Sequence, residues 1–316
     1  VKLARSLLLR LLYGVISVFF VVLVTFVAAE LAPGDVAEQL AGEKASLETI
    51  ERIRANMGLD QPWPIRLGIY IQNVATGDLG NSFYGAREPV LKIITEGLAM
   101  TAQVALFALF FAAVVGIFLG SLAAIKENTW LDKVILTVGT FGVTVPNFVL
   151  APLLVYIFAV QLDLLPQTWT VNRVAPNWVY LLLPMIVLAG RPCAMLIRLM
   201  RTSMIETLRN DYIVLAVAKG VPRFALYSKH ALRNALLPVI TAIGSSFGIL
   251  LTGSFVVERF FNIPGIGRAT IEAIQQRDTP VILGCILATG ILFVVVNLIV
   301  DLLIPILDPR IRGGGL

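Results

Sequence analysis

Six stretches of this chain carry no Asp, Glu, Lys or Arg: residues 11–29, 97–125, 134–162, 174–190, 234–257 and 279–300. A helix needs roughly 20 mainly apolar residues to cross a bilayer. Five of the stretches reach that length or come close. The short one, 174–190, stays apolar past Arg191 to about Met200. The chain therefore reads as an all-α integral membrane protein with six transmembrane helices. Its charged fraction agrees, at 14% against about 25% in a soluble domain. Mean hydropathy is +0.86.

Lys2, Arg5 and Arg10 stand ahead of the first apolar run. That run is longer than a usual signal core, and Glu30-Leu31-Ala32-Pro33 is a poor small-residue cleavage site. A retained first helix with its amino end in the cytoplasm is expected. Segments 1–10, 121–133, 198–233 and 305–316 then share the inner side and hold 14 Lys+Arg against 5 Asp+Glu. The outer segments 30–96, 161–178 and 258–280 hold 10 against 14. Basic residues favour the inside, as topology requires, so both termini are expected in the cytoplasm. The pI near 9.4 follows from this and calls for no nucleic acid. The expected organisation is a cytoplasmic N-terminus and first helix (1–30), an extracytoplasmic cap (31–95), a core of five helices (96–309) with a cytoplasmic loop at 201–233, and a cytoplasmic tail (310–316).

The cap reads as folded. Ser46 can cap a helix whose apolar positions Leu47, Ile50, Ile53 and Met57 keep helical spacing, with Gly58 as its stop. Pro62 and Pro64 open a second helix that Gly77 closes, and GDLGNSF (77–83) reads as a turn. Two roles stay open for it, a docking surface or a plug of the outer vestibule.

Gly116-x-x-x-Gly120 and Gly244-x-x-x-Gly248 allow close helix approach in lipid. Pro146, Pro152 and Pro184 lie within spans, where freed backbone groups are tolerated beside neighbours or a water-filled cavity. Cys193 and Cys285 also fall in spans and read as small core residues, with no zinc spacing and no disulfide framework. The sequence has no G-x-x-x-x-G-K-[ST], no H-E-x-x-H and no G-x-S-x-G, so it lacks the usual nucleotide loop. His230 is the single histidine. An intramembrane hydrolase would need paired acids, or Ser with a base, at bilayer depth, and only Asp301 is an acid there. Catalytic, cofactor and metal residues are expected to be absent.

The longest inner segment interrupts the apolar pattern with Lys219, Arg223, Lys229 and Arg233, and with no acid after Asp211. Asn210 or Asp211 can start a short helix through Ala216 and Ala218. Gly220 supplies a left-handed stop, and Pro222 suits the first turn of a second helix. Phe224, Leu226 and Tyr227 are more apolar than a solvated loop requires. Two readings fit: a compact knob seated in a partner's pocket, or a basic amphipathic helix lying on anionic lipid.

The runs AVAKG (216–220) and HALRNALLPVI (230–240) resemble the cytoplasmic coupling loop of ABC-importer permeases of the dipeptide/oligopeptide/nickel type. GLDQPW (58–63), GDLGNS (77–82), the Arg198 and Arg201 pair, VVERFFNIPGIG (256–267), QRDTP (276–280), NLIVDLL (297–303) and LDPRIR (307–312) agree in order along nearly the whole chain. The resemblance implies a multi-pass subunit of a bacterial or archaeal cytoplasmic (inner) membrane. It implies a second, homologous permease, two cytoplasmic ATPases that bind ATP and Mg, and an extracytoplasmic substrate-binding protein, with short peptides as the cargo. It further implies that Ala216, Ala218, Lys219, Gly220, Val221, Pro222 and Phe224 form the ATPase-coupling surface. The chain departs from the pattern at Val214, where many importers outside this subgroup have Glu, and at Val217, where relatives often have Arg. The alternative class is a channel or secondary transporter that works without an ATPase.

Glu258 matches E-x-x-F-x-x-P-G-x-G, which implies a gating or structural role at the outer mouth; otherwise it is an interface-facing acid. Asp308-Pro309-Arg310 reads as a tail anchor. Arg191 is the one basic residue well inside a span, about 20 Å down its helix at 1.5 Å per residue. A charge at that depth costs at least ~2.5 kcal/mol without water or a partner. It can snorkel to the inner interface, face the translocation path, or pair with Asp301.

Overall fold

The uncharged stretches fold as helices, but one of the six is broken. The structure, a computed structural model, describes residues 2–31, 36–41, 45–56, 58–170 and 176–307. Met57, the Asp308-Pro309-Arg310 anchor and the 310–316 tail lie outside the described residues. Four long helices are α1 (Lys2–Leu31), α5 (Val90–Ile125), α8 (Asn177–Leu208) and α14 (Thr279–Leu307). A fifth, α11 (Leu232–Gly253), is preceded by a π-helical turn, Leu226–Ala231. All five are long and apolar enough to cross a membrane.

The stretch 134–162 is not one straight span. It forms α6 (Trp130–Thr144) and α7 (Asn147–Val155, running into a π turn at Tyr156–Gln161), bent by 109° to one another. The cause is local. Pro146 has no N–H to continue the ladder, and it forces Val145 into an extended conformation, φ −85° and ψ 119°. Pro152 inside α7 removes a second bond one turn before the π segment. Counted as one span, the bent pair is the sixth.

Helix α8 is the hub, packing on α5, α6, α7 and α11. The α5 contact is close because it carries no side chain where it matters. A Cβ on Gly116 would sit 2.6 Å from Leu196 Cβ, and one on Gly120 2.7 Å from the Ile197 carbonyl oxygen. Small residues at that spacing let backbones approach without leaving a void. At the other edge, α1 packs on α14.

The cap contains α2 (Val36–Ala41), α3 (Leu47–Asn56) and α4 (Trp63–Thr76). Ser46 Oγ accepts the Thr49 amide at 3.3 Å, as a cap should. Gly58 and Gly77 follow α3 and α4 with φ of 67° and 77°, as their stop role requires. The cap leans on α1 through Arg66 to Glu30 at 2.5 Å and the Tyr70 ring on Phe26 at 5.7 Å. Helix α5 starts at Val90, so it reaches back into the 31–95 segment.

Candidate functional site

Below α8 the chain turns at Asn210 into α9 (Asp211–Ala218), reverses at Lys219-Gly220, and restarts from Pro222 as α10 (Arg223–Ala225) and the π turn. The reversal depends on Gly220, at φ 77°. Its amide donates to Val217 O at 2.9 Å, and the Val221 amide reaches back to Ala216 O at 3.2 Å. This paired closure satisfies carbonyls that the helix end would leave open. Nothing lies within 4 Å of where a Gly220 Cβ would be, so glycine is favoured here by conformation alone.

Spacing decides which residues face in. Ile213 and Ala216, three apart, are buried with Leu226 against the bundle. Val214, Leu215 and Val217 are more than half exposed, and Phe224 is 83% exposed. Ala218, Lys219, Gly220 and Pro222 share that open surface, while Val221 is half-buried against the core. Of the seven residues assigned to this surface, Ala216 and Val221 therefore support it from below. The outward apolar side of α9 is the reverse of what water favours, since each such side chain contributes about 1.5–3 kcal/mol once covered.

Glu258 lies far from that knob in chemistry and role. It sits on α12 (Phe255–Phe260) and is 0% exposed. Its Oε1 accepts the Thr101 hydroxyl of α5 at 2.8 Å. Its Oε2 accepts the Gly267 and Arg268 amides at 2.8 and 3.3 Å. Thr101 Oγ1 in turn accepts the Ile266 amide at 3.0 Å. The carboxylate thus caps the first turn of α13 (Ile266–Gln276), where backbone N–H groups are open and a negative charge is favoured. Three helices meet on one side chain.

Arg191 is exposed and has no hydrogen-bond or ion-pair partner among the described residues. Pairing with Asp301 is not what the structure has. Asp301 meets Arg10 of α1 instead, with Nη1 to Oδ1 at 3.6 Å and a further bond to the Asp301 carbonyl. The reason is packing, since α14 lies against α1, while α8 packs mainly on α5, α6, α7 and α11.

Two further pairings escaped sequence reading. Asp278, in QRDTP, is 2% exposed and accepts the Ser82 hydroxyl of GDLGNS at 2.5 Å and the Phe83 amide at 3.2 Å. Asp132, at the start of α6, holds Arg201 of α8 in a two-point fork. The motifs were visible, but nothing local says that they meet.

A helical bundle with one broken span and a loop projecting between spans has the form of a polytopic transport subunit. Residues 116–313 match the family model described as binding-protein-dependent transport system inner membrane component, and residues 3–106 match that of its N-terminal region. The chain belongs to this family. It is 40% identical over 306 residues to a Brucella abortus protein named as a peptide transport system permease, covering 96% of this chain and 97% of that one. It is 37% identical over 326 residues to the dipeptide transport system permease of Alkalihalophilus pseudofirmus, covering 96% and 98%. It is 37% identical over 303 residues to the glutathione transport system permease of Escherichia coli K12, covering 96% and 97%. A crystal structure of an amino acid ABC transporter shares the fold, with TM-score 0.51 and 17% identity over 69% of this chain and 94% of that one.

Proposed function

We propose that this chain is one of two permease subunits of an ATP-driven importer of short peptides, with both termini in the cytoplasm. Two cytoplasmic ATPases bind ATP and Mg, an extracytoplasmic binding protein delivers the cargo, and this chain performs no catalysis. Residues 210–230 seat in an ATPase cleft. Closure of the ATPases draws the knobs together and turns the permease pair outward. Nucleotide can bias that equilibrium only through a contact that differs between the two states, and the knob supplies one. The peptide cargo rests on the names of the relatives.

The observation that carries the reading is the exposed apolar face of α9 with Phe224, held by the Gly220 turn. A loop lying on lipid would have no need of that tight reversal. The test is co-purification from a cell that expresses all subunits. Phe224→Asp is expected to leave the permease in the membrane and strip the ATPases from it. Retention of the ATPases by Phe224→Asp would refute the docking assignment. Mass spectrometry of the ligand on the natively purified binding protein checks the cargo, where recovery of inorganic ions alone would overturn the peptide reading.

A further inference from the structure

Helix α8 is the most enveloped span, with 61% of its apolar window buried against 17–39% in the other four. One stripe on its inner half stays open: Arg191, Met195, Arg198 and Thr202 are all exposed. Their spacing of four, three and four keeps them on one face. The open stripe of neighbouring α5 runs Leu106, Phe110, Val114 and Phe118, four apart throughout, and is apolar along its length, as lipid requires. The α8 stripe carries two cations and a hydroxyl. Lipid tails do not solvate such a face.

We propose that Arg191 lines the solute path and receives a carboxylate of the passing peptide. This deepens the importer reading and rests on it. Three observations converge: the residue stands on the uncovered face of the central helix, it has no anionic partner among the described residues, and Asp301, the acid of the last span, is taken by Arg10. A guanidinium with five donors matches a carboxylate at two points. Arg198, about 10 Å further down the same stripe at 1.5 Å per residue, offers the next cation toward the inner end.

The test uses the assembled complex, with Cys193 and Cys285 replaced by Ala. In nanodiscs, Arg191→Cys is expected to react with a membrane-impermeant anionic methanethiosulfonate, while Phe110→Cys on the α5 stripe stays unmodified. This arm needs no cargo. An Arg191→Cys as unreactive as Phe110→Cys would overturn the proposal, whether lipid or the second permease covers the site. In proteoliposomes with saturating binding protein and a radiolabelled dipeptide, Arg191→Leu is expected to assemble normally and to slow uptake at least about tenfold, the order for a lost charge-assisted hydrogen bond. Arg191→Lys, which keeps the charge but not the two-point fork, is expected to recover only part of it. Equal uptake by Arg191→Leu and wild type would also overturn the proposal. Absence of ATP-dependent uptake by the wild type would instead count against the importer reading, and the labelling arm would still decide whether Arg191 faces water.

Discussion

Arg201 grips Asp132 at two points, Nε to Oδ1 at 2.6 Å and Nη2 to Oδ2 at 2.7 Å, across 69 residues of sequence. The Asn128 amide donates to the same carboxylate at 3.0 Å. The fork pins the start of the broken span to the helix that leads into the knob. Asp132→Ala would leave Arg201 without its partner. The cost expected is about 2–3 kcal/mol, below the range for fully buried pairs because the Arg201 side chain stays 21% exposed. A lowered melting temperature of the purified protein checks this. Asp132→Ala/Arg201→Leu should recover part of the loss, and no difference between single and double variants would contradict a working pair.

Gly220 separates conformation from contact. Its φ of 77° disfavours a β-carbon, yet a β-carbon there would touch nothing. Gly220→Asn, which tolerates the left-handed region, is expected to retain most transport. Gly220→Val is expected to insert normally while assembling poorly or hydrolysing ATP without transport. ATP hydrolysed per solute imported is the measurement, and wild-type stoichiometry in Gly220→Val would contradict the role given to the turn.

Glu258 is expected to matter for folding before it matters for transport. Glu258→Ala strips acceptors from Thr101 Oγ1 and from the Gly267 and Arg268 amides, and buried donors left open cost about 1–3 kcal/mol each. Expression and thermal stability should fall sharply. Thr101→Val removes one donor to the carboxylate and the acceptor of the Ile266 amide, and should fall less. Full stability in Glu258→Ala would contradict its place as the cap of α13.

Burial on α1 pushes the Tyr70 phenol up from 10.0 to about 12. Between those values the folded cap keeps a proton that the unfolded chain releases. Stability from this site is thus complete below pH 10 and is lost as pH rises toward 12. Alkaline melting curves should show that decline in the wild type and less of it in Tyr70→Phe.

Much of this was legible because it is local chemistry. Gly58, Gly77 and Gly220 stop helices for the same conformational reason, and five of the six uncharged windows fall on helices long and apolar enough to cross a membrane. Pro146, Pro152 and Pro184 were all visible within spans, but a missing N–H does not tell which of them breaks its helix or how far the two halves swing, and the 109° bend depends on packing. The side-chain clamps were not legible. Thr101–Glu258, Ser82–Asp278 and Arg201–Asp132 join positions 157, 196 and 69 residues apart, with no periodicity to announce them. The Arg191–Asp301 pairing failed for the same reason, since depth in a span does not tell which helices are neighbours.

Drive by a separate ATPase is the central claim, and uptake in proteoliposomes tests it most directly. With both permeases, both ATPases and the binding protein present, labelled peptide should accumulate only when ATP and Mg are supplied on the ATPase side. This chain alone, or the permease pair without ATPases, should pass none. Peptide flux down a gradient through the permeases alone, at a rate comparable to the full complex with ATP, would contradict an ATPase-driven importer and establish a self-contained channel or carrier.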